Sequence, residues 1–262
     1  MLYIADHGNH RIVECRLDRN YSRIIAGGNG QGARIDQLNQ PTDVIIDREN
    51  NDLIIADFGN RRVMRLSHHS NSLPQIIIDD IDCSRLAMHV DGTLYVSDWK
   101  SNEVRRWKKG ERQGTLVAGG NRKGNQLNQL NIPTFLFVDN DHTLYISDCY
   151  NHRVMKWVKD AKEGIVVAGG NGQGDGLTQL SSPQGVIVDH SGQIYVADKD
   201  NNRVMRWRKE EKEGTIVVGG TSRRDEKNQL NHPVGLSFDG ERNLYVGDRR
   251  NHRIEKFERE LY

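Results

Sequence analysis

Apolar residues in this chain come in short runs of about five to seven, bounded by Gly, Asn, Asp or Pro. No segment carries the spacing of an amphipathic helix, so the pattern predicts strands throughout. One run returns six times and always ends at an aspartate: LYIADHGNHRI, LIIADFGNRRV, LYVSDWKSNEV, LYISDCYNHRV, IYVADKDNNRV and LYVGDRRNHRI. The aspartates Asp6, Asp57, Asp98, Asp148, Asp198 and Asp248 follow one another at 51, 41, 50, 50 and 50 residues. A fixed period of this size marks a propeller or solenoid assembled from one repeated unit. The copies also serve as an internal comparison: positions that all of them keep read as structure, and positions that differ are where a specific task can sit.

Each period resolves into four short strands. The first opens at Pro41, Pro133, Pro183 or Pro233, where the missing N–H is harmless at a strand start. The second is the run ending at the aspartate. The third carries Cys15, Leu66, Trp107, Trp157, Trp207 or Phe257 at its large apolar position, and the fourth is a run such as IVVAGG. Four strands, six times over, predict an all-β chain forming one six-bladed β-propeller domain over 1–262, with blades near 2–28, 41–79, 84–120, 133–170, 183–220 and 233–260. The first blade is expected to lack its opening strand and the last its outer strand, so the chain reads as an excerpt of a longer protein.

The stretches Asn9-His10-Arg11, Asn151-His152-Arg153 and Asn251-His252-Arg253, set in six copies along essentially the whole chain, resemble the NHL repeat family. The resemblance implies a six-bladed propeller used mostly as a recognition platform. The family also includes RNA-binding and substrate-recognition domains of tripartite-motif ubiquitin ligases, extracellular sensors and a peptidyl-amidating lyase. It therefore implies a fold far more than an activity.

Charge narrows the options. With 37 basic and 36 acidic residues the net charge is +1, giving no global pull toward nucleic acid or a membrane. No apolar run approaches the ~18 residues of a membrane-spanning helix. Cys15, Cys83 and Cys149 occupy unrelated repeat positions and form no disulfide framework, which leans toward a cytoplasmic setting. A single glycosylation-type triplet, Asn20-Tyr21-Ser22, is a weak signal. Compartment and oligomeric state are otherwise not specified by the sequence.

Five copies pair the aspartate with an arginine five residues on: Asp6 and Arg11, Asp57 and Arg62, Asp148 and Arg153, Asp198 and Arg203, Asp248 and Arg253. A bidentate contact across the tight turn is expected to pin the second strand to the third. The glycine-rich loops such as Gly28-Asn29-Gly30-Gln31-Gly32 lead into Gln-Leu-x-x-Pro and never into a helix. They read as tight loops returning a buried Leu, not as phosphate cradles. His10, His152 and His252 share one repeat position, and His68 and His69 are adjacent, so no three ligands converge as a zinc site requires; neither metal nor cofactor is expected. His89 is read as standing on a first strand near the central channel, at the position of Ile45, Phe137, Ile187 and Ser237.

Blade three departs most from the repeat. It lacks the glycine-rich loop, and Glu103 stands where the others have Arg, facing Asp98. Such a pair would share a proton, bind a cation, or recruit Arg105 or Arg106. The residues after each aspartate differ in every copy, and three of these turns offer Phe58, Trp99 and Tyr150. Arg249 and Arg250 occupy the last turn, and Arg122, Lys123, Arg223 and Arg224 flank in the loops. Aromatic and Arg side chains are the usual anchors of binding surfaces. The turn-tip aromatics are expected to add little to the core. The sequence thus predicts a non-enzymatic propeller that binds a protein or peptide, in the manner of a ubiquitin-ligase substrate-recognition part. The rivals are single-stranded RNA binding through the aromatic and basic loops, and a lactonase- or lyase-like enzyme using the channel.

Overall fold

The computed structural model describes residues 1–16, 19, 21–67, 73–220 and 229–259. Its strands form six antiparallel sheets, each meandering in chain order. The first sheet holds β1 (Leu2–Asp6), β2 (Arg11–Arg16) and β3 (Tyr21–Gly27). The second holds β4 (Asp43–Asp47), β5 (Asp52–Asp57), β6 (Arg62–Leu66) and β7 (Gln75–Ile78). The third holds β8 (Cys83–Met88), β9 (Leu94–Asp98), β10 (Glu103–Trp107) and β11 (Thr115–Gly119). The fourth holds β12 (Pro133–Val138), β13 (Leu144–Asp148), β14 (Arg153–Trp157) and β15 (Ile165–Gly169). The fifth holds β16 (Pro183–Val188), β17 (Ile194–Asp198), β18 (Arg203–Trp207) and β19 (Thr215–Gly219). The last has three strands, β20 (Pro233–Phe238), β21 (Leu244–Asp248) and β22 (Arg253–Phe257). These are the blades of a propeller, and the first and last each lack one strand, as the repeat count predicts.

The chain divides into two compact units, Met1–Val117 and Ala118–Tyr262. Within the first, apolar side chains of neighbouring blades interleave: Ile54, Val63 and Ile78 of blade two meet Leu86, Val96 and Trp107 of blade three. Within the second, Val154, Ala168 and Leu180 meet Val196, Met205 and Trp207 in the same way. Alternation along each strand supplies both faces of a blade, so every sheet is covered on both sides where a neighbour exists.

The central turn is built alike in five blades. After the aspartate comes one 3-10 turn, closed by a residue in the left-handed region: His10, Arg61, His152, Asn202 and His252, with φ between 51° and 55°. His and Asn tolerate that conformation better than most side chains. Their side chains have a second use. His10 Nδ1 accepts from the N–H of Gln40, His152 Nδ1 from Ser182, and Asn202 Oδ1 from His232, each thirty residues on at the start of the next blade. The repeated histidine is thus a strut between blades. Gly27 and Gly169 end outer strands with φ of 68° and 67°, and a Cβ there would stand 2.4 Å and 2.5 Å from the carbonyl oxygens of His10 and His152. Only glycine fits both constraints.

Candidate functional site

The repeated Asp–Arg pair is present in all five expected blades, but it is not bidentate. Arg62 Nε donates to Asp57 Oδ2 at 2.7 Å, and so does Arg153 to Asp148 and Arg203 to Asp198. Arg11 makes the same contact with Asp6 and Arg253 with Asp248, at 2.7 and 2.9 Å. The remaining guanidinium donors turn away from the carboxylate and hold the preceding glycine-rich loop. Arg153 reaches the carbonyls of Asn125, Gln126 and Gln129; Arg203 reaches those of Asp175, Gly176 and Gln179. The second carboxylate oxygen accepts from a backbone N–H of the same loop, Asn131 for Asp148 and Ser181 for Asp198. Asn151 and Asn201 complete the clasp, each donating to the aspartate and to a loop glycine carbonyl. The loop returns Leu38, Leu130 and Leu180 to the core, each at most 2% exposed. The clasp thus spends the loop's carbonyls on holding the loop to the turn.

His89 does not stand on the first strand. β8 ends at Met88, which pairs with Leu94, and Ala87 faces Tyr95 where Phe137 faces Tyr145. His89 therefore occupies the hairpin position of Asp139 and Asp189, with its N–H donating to the carbonyl of Thr93. Those aspartates cap the turn N–H groups in their own blades; here Asp91 caps Thr93 N–H instead, and its carboxylate lies 2.7 Å from His89 Nδ1. Burial works against ionisation, yet hydrogen bonds from Thr93 and His89 hold the Asp91 carboxyl well below its usual range. The histidine is a turn residue with a carboxylate partner.

The blade-three acids are likewise engaged. Asp98 Oδ1 accepts from the N–H groups of Lys100 and Ser101, and Oδ2 from the Ser101 hydroxyl. Glu103 faces Asp98 in register but takes the third of the alternatives above, pairing with Arg105. Without the long loop there are no carbonyls for an arginine at 103 to hold. Glu103→Arg is therefore expected to destabilise the fold by about 1–3 kcal/mol, because Asp98 already accepts from Lys100 and Ser101, the loop carbonyls that hold the other arginines are missing, and Arg105 loses its partner. Chemical denaturation against the parent chain measures it.

Of the binding-face candidates, Phe58 and Trp99 lie together in the first unit. Their rings stack with centroids 6.0 Å apart and planes at 29°. Both are half-buried, so the expectation that they add little to packing is corrected. The Trp99 indole N–H is buried with no acceptor among the described residues. Beside them Arg61 bridges Asp80 and Asp82 at 2.7 and 3.3 Å. In the second unit Tyr150 is 56% exposed, on a turn held to the loop of exposed Arg122 and Lys123 by its N–H to the Asn131 carbonyl. Arg249 and Arg250 are exposed on the last turn. Arg223, Arg224, His68, His69 and Asn20 lie outside the described residues.

Burial pushes the thiol of Cys83 up to about 12 and that of Cys149 up to about 11, and Gln184 donates to the Cys149 sulfur. One group that the sequence leaves unmarked is Asp43, whose carboxylate accepts from the N–H of Leu86 and so ties β4 to β8. No helix among the described residues is long and apolar enough to cross a membrane.

Comparison with known proteins agrees with this geometry. The NHL repeat family profile matches residues 180–206 and 230–257, and no curated protein matches the chain. Among solved structures, an auxiliary nutrient binding protein from Bacteroides thetaiotaomicron is 18% identical with a TM-score of 0.75, over 97% of this chain and 65% of that one. A nidogen/laminin complex matches at 16% identity and TM-score 0.69, covering 96% and 91%. A streptogramin B lyase matches at 10% identity and TM-score 0.61, covering 98% and 78%. This chain thus spans just under two thirds of the nutrient-binding protein, and at such identities the likeness shows the fold alone. Six sheets of one repeated plan, with the NHL repeat model matching in the last two blades, make this chain a six-bladed β-propeller.

Proposed function

We propose that this chain is a recognition module without catalysis of its own, and that a protein or peptide docks on the turns carrying Phe58 and Trp99. The stacked pair carries the reading. Two large rings held together at the tips of neighbouring blades form a preordered apolar anchor, the kind of centre around which interfaces concentrate their affinity. The Trp99 indole N–H is buried without an acceptor among the described residues, so what the ring offers a partner is its apolar face. Two structural neighbours, a nutrient binding protein and a nidogen/laminin complex, are binding proteins by description, which supports a platform role. The groups a channel enzyme would use, His89, Asp98 and Glu103, are all held by local partners.

Selection of peptides from a displayed library on the folded domain tests this. The selected peptides are expected to bind the double variant Phe58→Ala, Trp99→Ala at least about tenfold more weakly, a loss within the range of hot-spot truncations. Their affinity should change little with salt, since an apolar anchor is not screened. Peptides that bind the folded double variant at full strength would overturn the site. Steep salt dependence together with capture of single-stranded oligonucleotides would favour the RNA reading instead.

A further inference from the structure

Among the described residues, the layer between blades one and two is hollow where its counterpart at blade five is filled. A cavity of about 280 Å³ lies there, walled by Ile25, Leu38, Ile55, Met64, Leu66 and Pro74. The second unit shows the repeat's filled version. Leu180, Val196 and Met205 stand at the repeat positions of Leu38, Ile55 and Met64, and they close on the indole of Trp207, which is 1% exposed. Trp207 faces Ile194 in register as Leu66 faces Leu53, so Leu66 holds the tryptophan position. The ring of Trp207 also needs Gly214 beneath it, since a Cβ there would stand 2.7 Å from the indole. Gly214 further donates its N–H to the carbonyl of Leu177. Pro74 takes that glycine's place before β7, bringing a ring and no N–H. Two substitutions at one spot, Trp to Leu and Gly to Pro, thus remove an indole and its support together.

We infer that this cavity is a binding site for a small neutral aromatic compound with a ring system of indole size. Leu38, Ile55 and Met64 repeat three of the walls that close on such a ring in blade five, and Pro74 narrows the side that Gly214 leaves open there. An apolar cavity of about 150 Å³ suffices for benzene, and this one has room for a bicyclic ring. The mouth is marked by Ile24, which is 49% exposed. The polar groups at the rim are occupied by one another: Gln37 donates to the Asn29 carbonyl, Asn29 to Asp36, and Arg34 pairs with Asp36 at 2.9 Å. Recognition therefore comes from apolar contact with a ring, and not from a charge. The site shares no residue with the turns of Phe58 and Trp99, so its failure and theirs are separable.

Indole itself is the probe. Saturation-transfer NMR should show magnetisation passing from the folded domain to indole at millimolar concentration, and the thermal midpoint should rise with indole added. The double change Leu66→Trp, Pro74→Gly, which restores both repeat residues, is expected to abolish both effects while leaving the fold intact. Leu66→Phe is the second variant, patterned on Phe257 at the same position of the last blade, and it should weaken the transfer several-fold if the tryptophan proves too large. Absence of transfer to the parent chain, or undiminished transfer in the folded Leu66→Trp, Pro74→Gly double variant or in a folded Leu66→Phe variant, would overturn the assignment.

Discussion

Replacing Arg153 or Arg203 by alanine is expected to cost about 3–5 kcal/mol, the range for breaking a buried ion pair from one side. The two side chains are 7% and 4% exposed, and their aspartate partners are fully buried. Each loss would strand not only a carboxylate but three loop carbonyls, and so loosen the loop that returns Leu130 or Leu180 to the core. Arg253→Ala is the internal comparison: its side chain is 42% exposed although Asp248 is fully buried, and the cost should be smaller, because water can take the place of the arginine.

The loss should also depend on pH. Burial pushes the carboxyls of Asp148 and Asp198 up, against hydrogen bonds from Asn151 and Asn201, from loop N–H groups and from the arginines. A carboxyl raised in the folded state contributes stability at pH below its unfolded value, and that contribution is lost as pH rises through the folded value. Removing the arginine raises the folded value further. The difference between variant and parent should therefore be largest at neutral pH and shrink in mildly acid solution, as the stranded carboxyl takes up a proton. Urea titrations under both conditions read this directly, and a deficit that grows on acidification would contradict the account.

The blades are legible in the repeat because alternation, turn residues and the Asp–Arg spacing recur together. What the spacing cannot show is where the other guanidinium donors go. Arg153 and Asn125 lie 28 residues apart, and only folding brings the loop carbonyls into the fork of the arginine. His89 escapes the repeat for a different reason. Blade three lacks both the opening Pro and the long loop, so nothing in the sequence anchors its first strand. A two-residue shift is enough to move a hairpin residue onto a strand that ends at Met88. The hollow between blades one and two is written in the chain as Leu66 among tryptophans. Its meaning depends on a second departure, Pro74 for glycine, whose equivalence emerges only once β7 is aligned with β19. Phe58 and Trp99 read as surface because their turns vary, and they do lie at turns. Their mutual stacking depends on the approach of two blades, which no one-blade pattern encodes.

Trp207→Ala is expected to be among the most damaging single changes in the second unit, at about 3–5 kcal/mol, the range for emptying a buried tryptophan position. The ring is 1% exposed and packs against Leu180, Val196 and Met205, which are themselves fully buried, so the walls have little freedom to collapse into the space. The variant then reproduces, in blade five, the hollow that Leu66 and Pro74 leave beside blade two, with one difference: Gly214 remains to support a ring lying flat against it. Added indole should therefore raise the denaturation midpoint of the variant by more than it raises that of the parent chain, because a ligand that binds only the folded state stabilises it in proportion to the logarithm of its occupancy. Thermal melts of both proteins across an indole titration supply the comparison. A variant that loses stability but gains nothing from indole would mean that the walls close over the space. The frame of side chains around Trp207 would then owe its shape to the ring, and not the reverse.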